Sequence, residues 1–296
     1  SHDMVYYISM LSTTGGKLKI SPKKILENYK KIKASNKIKE QGEGLEIFIK
    51  DSFCGVPKSS TLEKNRIKDY LEKFSDRGNA NNPPDAMIKN GDAIEIKKKN
   101  DTSKVGSKGS LQLNSSPPKS FLSNLDKNIQ NSTKKCEKEP WKKDYLYVIG
   151  NIKSGKLWRV TYCYGNCFVS PSGEYSKIFD SIKNAINKTE IGRAELVESD
   201  ELGRIKKIDP QDFTTLRIRS MFELQNPNEI FKKELNWKED QKLVISAIMR
   251  KKKFDSFPKE DRESLKNNKF EINEFKGKDP ENMSKEIDLV LVKYSK

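Results

Sequence analysis

Apolar residues recur in residues 43–54 at Leu45, Phe48, Ile49 and Phe53, the spacing of one buried helical stripe. The pattern predicts a helix there, ended by Gly55. Residues 61–76 predict a second helix, and the Lys-rich residues 5–40 show helical tendency with Ser21-Pro22 placed to start one. Near residue 85 the period changes. Two half-apolar runs flank Asn90-Gly91, the strongest short-range hairpin signal. Residues 144–150 form an apolar run typical of a buried strand, and residues 157–162 predict the next strand after a turn. A short helix is expected at 176–188, a helical or strand piece at 243–249, and a final strand at 286–294. The pattern predicts an α/β (α+β) fold: a four- or five-stranded mixed central sheet flanked by helices. No repeat or convincing linker divides the chain, so a single domain is expected over 5–296. Ser1-His2-Asp3-Met4 reads as an expression scar before a native Met4.

The hairpin's polar residues change the picture from scaffold to chemistry. Alternation puts Glu95 and Lys97 on one strand face and Ile94 and Ile96 on the other. A two-residue Asn90-Gly91 loop would place Asp85 opposite Ile96. A three-residue loop, Lys89-Asn90-Gly91, ending in a Gly at positive φ, pairs Ile88 with Asp92 and Asp85 with Glu95. The second register is preferred here, because facing carboxylates repel unless something binds between them. A divalent cation suits that gap, since Mg²⁺ takes one or two carboxylates plus waters and phosphate. A neighbouring Lys can orient or deprotonate a water or hold the phosphate. Glu46 lies about 100° around the helix from Leu45, at the stripe's border. It is an additional metal or second-layer candidate, or a surface Glu paired with Lys50.

Composition narrows the chemistry. The chain of 296 residues carries 58 Lys+Arg against 42 Asp+Glu, a formal charge of +16, which favours a polyanionic partner. Its single histidine, His2, lies in the scar, so His-based nucleophile systems, His-ligated zinc and a His general base are excluded. Cys54 and Cys136 stand apart from Cys163-x3-Cys167, which favours reduced thiols over a four-cysteine zinc site. No apolar run is long enough to span a membrane and no signal peptide is visible, so a cytoplasmic protein is expected.

Other segments suit DNA contact. Asn114, Ser115, Ser116 and Lys119 offer small polar side chains, free backbone N–H groups and a cation, or else a turn with capping residues. Arg217 and Arg219 alternate on one strand face in an Arg-poor chain, with Arg204 nearby. Guanidinium suits bidentate contact to guanine or phosphate, although charges on an exposed edge strand also deter aggregation.

Pro84-Asp85, nine residues, then Glu95-Ile96-Lys97 resembles the signature of PD-(D/E)XK nucleases. Residues 110–120, read shortly after residues 82–98, are similar to the NgoPII-type family of type II restriction endonucleases, as is the run from Glu201 to Phe222. The three islands span about residues 38–225. The resemblance implies a PD-(D/E)XK core over about 43–170, with DNA-recognition contributions from about 106–120 and 200–225. It implies Asp85 and Glu95 as Mg²⁺ ligands and Lys97 assisting the attacking water, with Glu46 completing the site. It further implies a homodimer on double-stranded DNA, cutting a short palindrome; family members are associated with GGCC. Two rivals stand beside it. One is a repair or recombination nuclease on the same core, the other a basic nucleic-acid-binding module without catalysis.

Overall fold

In the computed structural model, residues 38–54, 63–78, 83–101, 109–126, 137, 140–153, 156–191, 194–238 and 240–295 are described. The Ser1–Met4 scar, the Ser21-Pro22 helix start, Gly55, the loop at 79–82, residues 102–108 and Cys136 lie outside them.

Helix α1 (Ile38–Phe53) forms where the apolar stripe predicts it, and Leu45, Phe48, Ile49 and Phe53 are all buried. Burying a side chain of this kind contributes about 1.5–3 kcal/mol. Helix α2 (Glu63–Lys73) is tied to α1 through Tyr70, whose hydroxyl donates to Asp51 Oδ1 at 2.7 Å. The expected helix through residue 76 stops earlier. Phe74 instead opens strand β1 (Phe74–Asp76) and pairs with Ile88, so tertiary pairing overrides local propensity.

The strands that follow are β2 (Ala86–Ile88), β3 (Ala93–Asn100), β4 (Leu111–Asn114), β5 (Phe121–Ser123), β6 (Lys142–Lys153) and β7 (Lys156–Tyr164). Helix α3 (Ser172–Asn187) precedes β8 (Glu195–Leu196), β9 (Gly203–Lys206), β10 (Leu216–Ile218) and β11 (Phe222–Leu224). Short helices α4 (Pro227–Ile230) and α5 (Lys232–Leu235) lead to β12 (Val244–Arg250). Helices α6 (Lys251–Asp255) and α7 (Lys259–Asn267) precede the closing strands β13 (Glu271–Asp279) and β14 (Asn282–Ser295).

Among the described residues the central sheet has nine strands, ordered β1-β2-β3-β6-β7-β12-β14-β13, with β5 also pairing on β6. It is mixed: β3/β6 and β7/β12 run parallel, the remaining neighbours antiparallel. The sheet is thus wider than the four or five strands expected from sequence. The ambiguous piece at 243–249 is a strand at its centre, buried on both faces, which is why it reads as an unbroken apolar run. Two small sheets, β10-β9-β8 and β11-β4, stand beside it. No described helix is long and apolar enough to cross a membrane.

One face of the central sheet packs on α1 through Ile94, Leu146 and Val148. Gly150 permits that contact, since a Cβ there would meet both Leu45 methyl carbons at 2.6 Å. The opposite face is covered in part by Leu111 and Leu113 of β4 and Leu224 of β11, over Tyr145, Tyr147 and Ile149. Glu95 and Lys97 pair with Tyr147 and Ile149 and so project from this second face.

Candidate active site

The β2–β3 turn adopts the three-residue register. Ala86 pairs with Ile94 and Met87 with Ala93, Ile88 N donates to Asp92 O at 3.0 Å, and Gly91 N donates to Ile88 O at 3.0 Å. One step beyond Ala86–Ile94, Asp85 stands opposite Glu95. The left-handed turn position falls on Asn90, with φ 54°, rather than on Gly91 as expected. Asn tolerates that conformation because its short polar side chain bonds locally.

A buried ion pair clamps this turn from outside. Lys143 Nζ donates to Ile88 O at 2.7 Å and Gly91 O at 3.1 Å, and lies 2.8 Å from Glu137. The other Glu137 oxygen accepts from Asn90 N at 3.2 Å. Asp92, just past the turn, accepts from the Tyr164 hydroxyl at 2.7 Å and from Lys253 at 3.0 Å, while Lys253 also pairs with Asp144. None of these clamps is visible from local sequence pattern.

Asp85 is held on its other flank by Gly78. With φ 77°, Gly78 takes a conformation that favours glycine, and a Cβ there would sit 2.2 Å from Asp85 O. The Asp85 carboxylate accepts from Ile96 N at 2.6 Å. Burial, then the charge of Glu95, push its pKa up to about 7, against the pull of the Ile96 N–H and Lys97; Glu46 adds to the rise. Glu95 is buried, with Oε1 2.7 Å from Lys97 Nζ and Oε2 accepting from the Tyr145 hydroxyl at 3.1 Å. Burial, reinforced by Glu95, raises the Tyr145 pKa well above the ordinary phenol value, so this hydroxyl serves as a neutral donor. Glu46 pairs with Lys50 at 2.5 Å, and its charge adds to the rise of the Asp85 pKa.

Among the described residues no group of three or more His, Cys, Asp or Glu side chains is arranged to hold a metal ion. Mg²⁺ does not require one, because waters and substrate phosphate complete its shell. Asp85 and Glu95 fit it in donor type, as hard oxygens. They fit it electrostatically too, since burial and an acidic neighbour raise the Asp85 pKa and a divalent charge would oppose that rise.

The expected DNA-contact residues fall in two places. Asn114 (φ 52°) and Ser115 are exposed, and Ser116 N donates to Leu113 O at 3.1 Å in a turn. The Lys119 backbone both donates to and accepts from the Tyr147 hydroxyl, at 2.9 and 3.2 Å, so this loop is fastened to the strand partner of Glu95. Its ammonium pairs with Asp126 at 2.6 Å. Arg204 and Arg217 are cross-strand partners on β9 and β10. Arg217 forms a forked contact with Glu201, through Nε at 2.9 Å and Nη2 at 2.6 Å, and Arg219 Nε reaches the same carboxylate at 2.5 Å. The two guanidiniums therefore do converge, and they hold the Glu201 pKa down at about 2. Cys54, Cys163 and Cys167 are free thiols.

Comparison with known proteins follows the same lines. A family model described as NgoPII restriction endonuclease matches residues 17–279. The chain is 35% identical over 265 residues to the type II restriction enzyme NgoPII of Neisseria gonorrhoeae, covering 88% of this chain and 91% of that protein. It is also 85% identical over 39 residues to the tryptophan synthase alpha chain of Pelagibacter ubique, covering 13% of this chain and 15% of that protein. A match of that length is shorter than a domain and carries no argument about activity. No solved structure matches.

Proposed function

The chain belongs to the NgoPII restriction endonuclease family, and from that premise we propose that it is a Mg²⁺-dependent type II restriction endonuclease with a PD-(D/E)XK site. The observation that carries this reading is the pairing of Asp85 with Glu95 across the hairpin, with the Lys97 ammonium 2.7 Å from Glu95. In this reading Asp85 and Glu95 hold the metal. When bound, Mg²⁺ lowers the pKa of a water and offsets charge on the scissile phosphate.

The chain's own groups do the positioning. The Ile96 N–H fixes one Asp85 oxygen, and Tyr145 and Lys97 each occupy one Glu95 oxygen, so both carboxylates present defined lone pairs. Lys97, on the same strand face, orients the attacking water and takes up or returns its proton. Attack on phosphorus expels the 3′ oxygen, leaving a 5′ phosphate and a 3′ hydroxyl. Glu46 stands behind Asp85 as a supporting charge. The loop carrying Asn114, Ser115, Ser116 and Lys119, and the strands carrying Arg204 and Arg217 with Arg219 just beyond, supply DNA contacts. A homodimer places two such sites on the two strands of a palindrome, with GGCC the target by family. The protein meets its DNA in the cytoplasm.

Incubating long duplex DNA with purified protein and Mg²⁺, with and without EDTA, and mapping the ends tests this. Discrete Mg²⁺-dependent fragments whose ends share one short palindrome are expected. A smear would favour a repair-type nuclease, and intact DNA despite salt-sensitive binding would favour a binding module.

A further inference from the structure

Arg159, on β7, is fully buried, and among the described residues its Nε, Nη1 and Nη2 have no hydrogen-bond acceptor. Two indoles cover its guanidinium, with Cζ 3.5 Å from the Trp158 ring centroid and 4.1 Å from that of Trp237. Its N–H groups point outward in the guanidinium plane, away from those rings. Asp101 lies within electrostatic reach, yet its oxygens accept from Asn151 Nδ2 at 2.9 Å and Trp158 Nε1 at 2.8 Å.

The strand register sets what else lies on this face. Arg159 pairs with Asn151 on β6 and Val244 on β12, and the adjacent row on the same face runs Thr161, Ser246, Lys293. Among the described residues Thr161 Oγ1 and Ser246 Oγ are buried with no hydrogen-bond partner, as are Trp237 Nε1 and Asn228 Oδ1 in the segment that closes over this face. Asn228 is anchored there by its amide, which donates to Asn151 Oδ1 at 3.1 Å. The Lys293 ammonium is satisfied by Leu235 O at 2.8 Å and Asn236 O at 3.3 Å, and the charge of Arg159 opposes its own. Asp101 acts on Arg159 and Glu271 on Lys293, yet among the described residues the unmatched donors of this cluster outnumber its unmatched acceptors. A buried guanidinium without acceptors is among the costliest arrangements in a protein interior.

We propose that this cluster is an internal binding site for a small monovalent anion of halide size. Arg159 supplies the in-plane N–H groups and Thr161 and Ser246 their hydroxyl hydrogens. A DNA phosphate is excluded, because Arg159 has no exposed surface. A water must place two hydrogens of its own, among neighbours that are mainly donors and cations. A halide needs donors alone, which is what this cluster offers. Bound there, it links β7 and β12 to the segment bearing Asn228 and Trp237, and so stabilises the folded chain.

Thermal unfolding of the full chain in sodium chloride or bromide, against sodium gluconate at equal ionic strength, reads this linkage. The midpoint should climb with halide over gluconate and follow the logarithm of one plus occupancy ratio. Arg159→Gln should abolish the halide-specific rise. Ser246→Ala, which keeps the charge and tests the site even where Arg159→Gln does not fold, should move the rise to higher halide concentration. Bromide-soaked crystals should show an anomalous peak at the Arg159 guanidinium edge. Superposed halide and gluconate curves, an unchanged halide response in Ser246→Ala, or water in place of bromide beside Arg159 would overturn the proposal.

Discussion

Asp85 and Arg217 are both charged side chains marked by sequence for work on DNA, yet the fold treats their surroundings in opposite ways. The hairpin of Asp85 and Glu95 is built into the central sheet, clamped by Lys143 and Glu137 and backed by Tyr145. Its charges are only partly met: Lys97 pairs with Glu95, yet burial and the Glu95 charge still raise the Asp85 pKa to about 7. Arg217 lies on the exposed strand β10 of a small sheet, with Arg219 just past its end, and their charges are already met by Glu201. The buried region stores an unmet demand for positive charge, whereas the exposed region hides its charges until a polyanion competes for them. A catalytic site needs the first arrangement, and a surface that must release as well as bind suits the second.

Substitutions separate the two regions. Beyond the metal ligands, Lys97→Ala should have the largest effect, lowering the rate of DNA cleavage by about 10²–10⁴-fold with DNA binding intact. Single-turnover cleavage alongside a gel-shift titration reads both. Arg217→Ala should weaken DNA binding several-fold and reduce the salt slope of binding by about one with cleavage chemistry intact, the reverse pattern. Tyr145→Phe should slow cleavage by about 5–10-fold through loss of one hydrogen bond to Glu95, leaving DNA affinity unchanged. Glu201→Gln should tighten non-specific DNA binding by a few fold at low salt, since it frees both guanidiniums; no gain in affinity would show that this carboxylate does not restrain them.

The smallest effect is on stability against pH. Asp85 has its folded pKa raised from 3.8 to about 7. Between those values the folded chain binds a proton that the unfolded chain has released. In metal-free protein the Asp85 contribution to stability therefore falls as pH rises across this window. Asp85→Asn should flatten that decline, as denaturant unfolding across the window would record. Divalent cation should oppose the decline in the wild-type protein only.

Much of this site is legible before folding. The helical stripe at Leu45 is strictly periodic, and the hairpin is announced by Asn90-Gly91 and by alternation. The register follows from one electrostatic argument about Asp85 and Glu95. What stays hidden depends on residues far apart in sequence. Lys143 reaches the turn from β6, and Tyr145 meets Glu95 only because β3 and β6 run parallel in that register. Arg217 and Arg219 read as free DNA contacts because nothing local shows Glu201 folding back onto them. Arg159 reads as one more charge on a strand, and only the closing segment with Trp237 makes it a buried one. Strand β12 stays ambiguous for a similar reason, since an apolar run alone does not tell a buried strand from a buried helix, whereas β14 forms where the final strand is expected.

The central claim is that the Asp85–Glu95 pair performs the chemistry. Asp85→Ala, assayed in parallel for Mg²⁺-dependent cleavage and for binding of the same duplex, tests it most directly. Cleavage should fall by about 10³-fold or more, with binding retained or improved as a repulsive carboxylate is removed. A variant that still cuts at the wild-type rate would contradict the account.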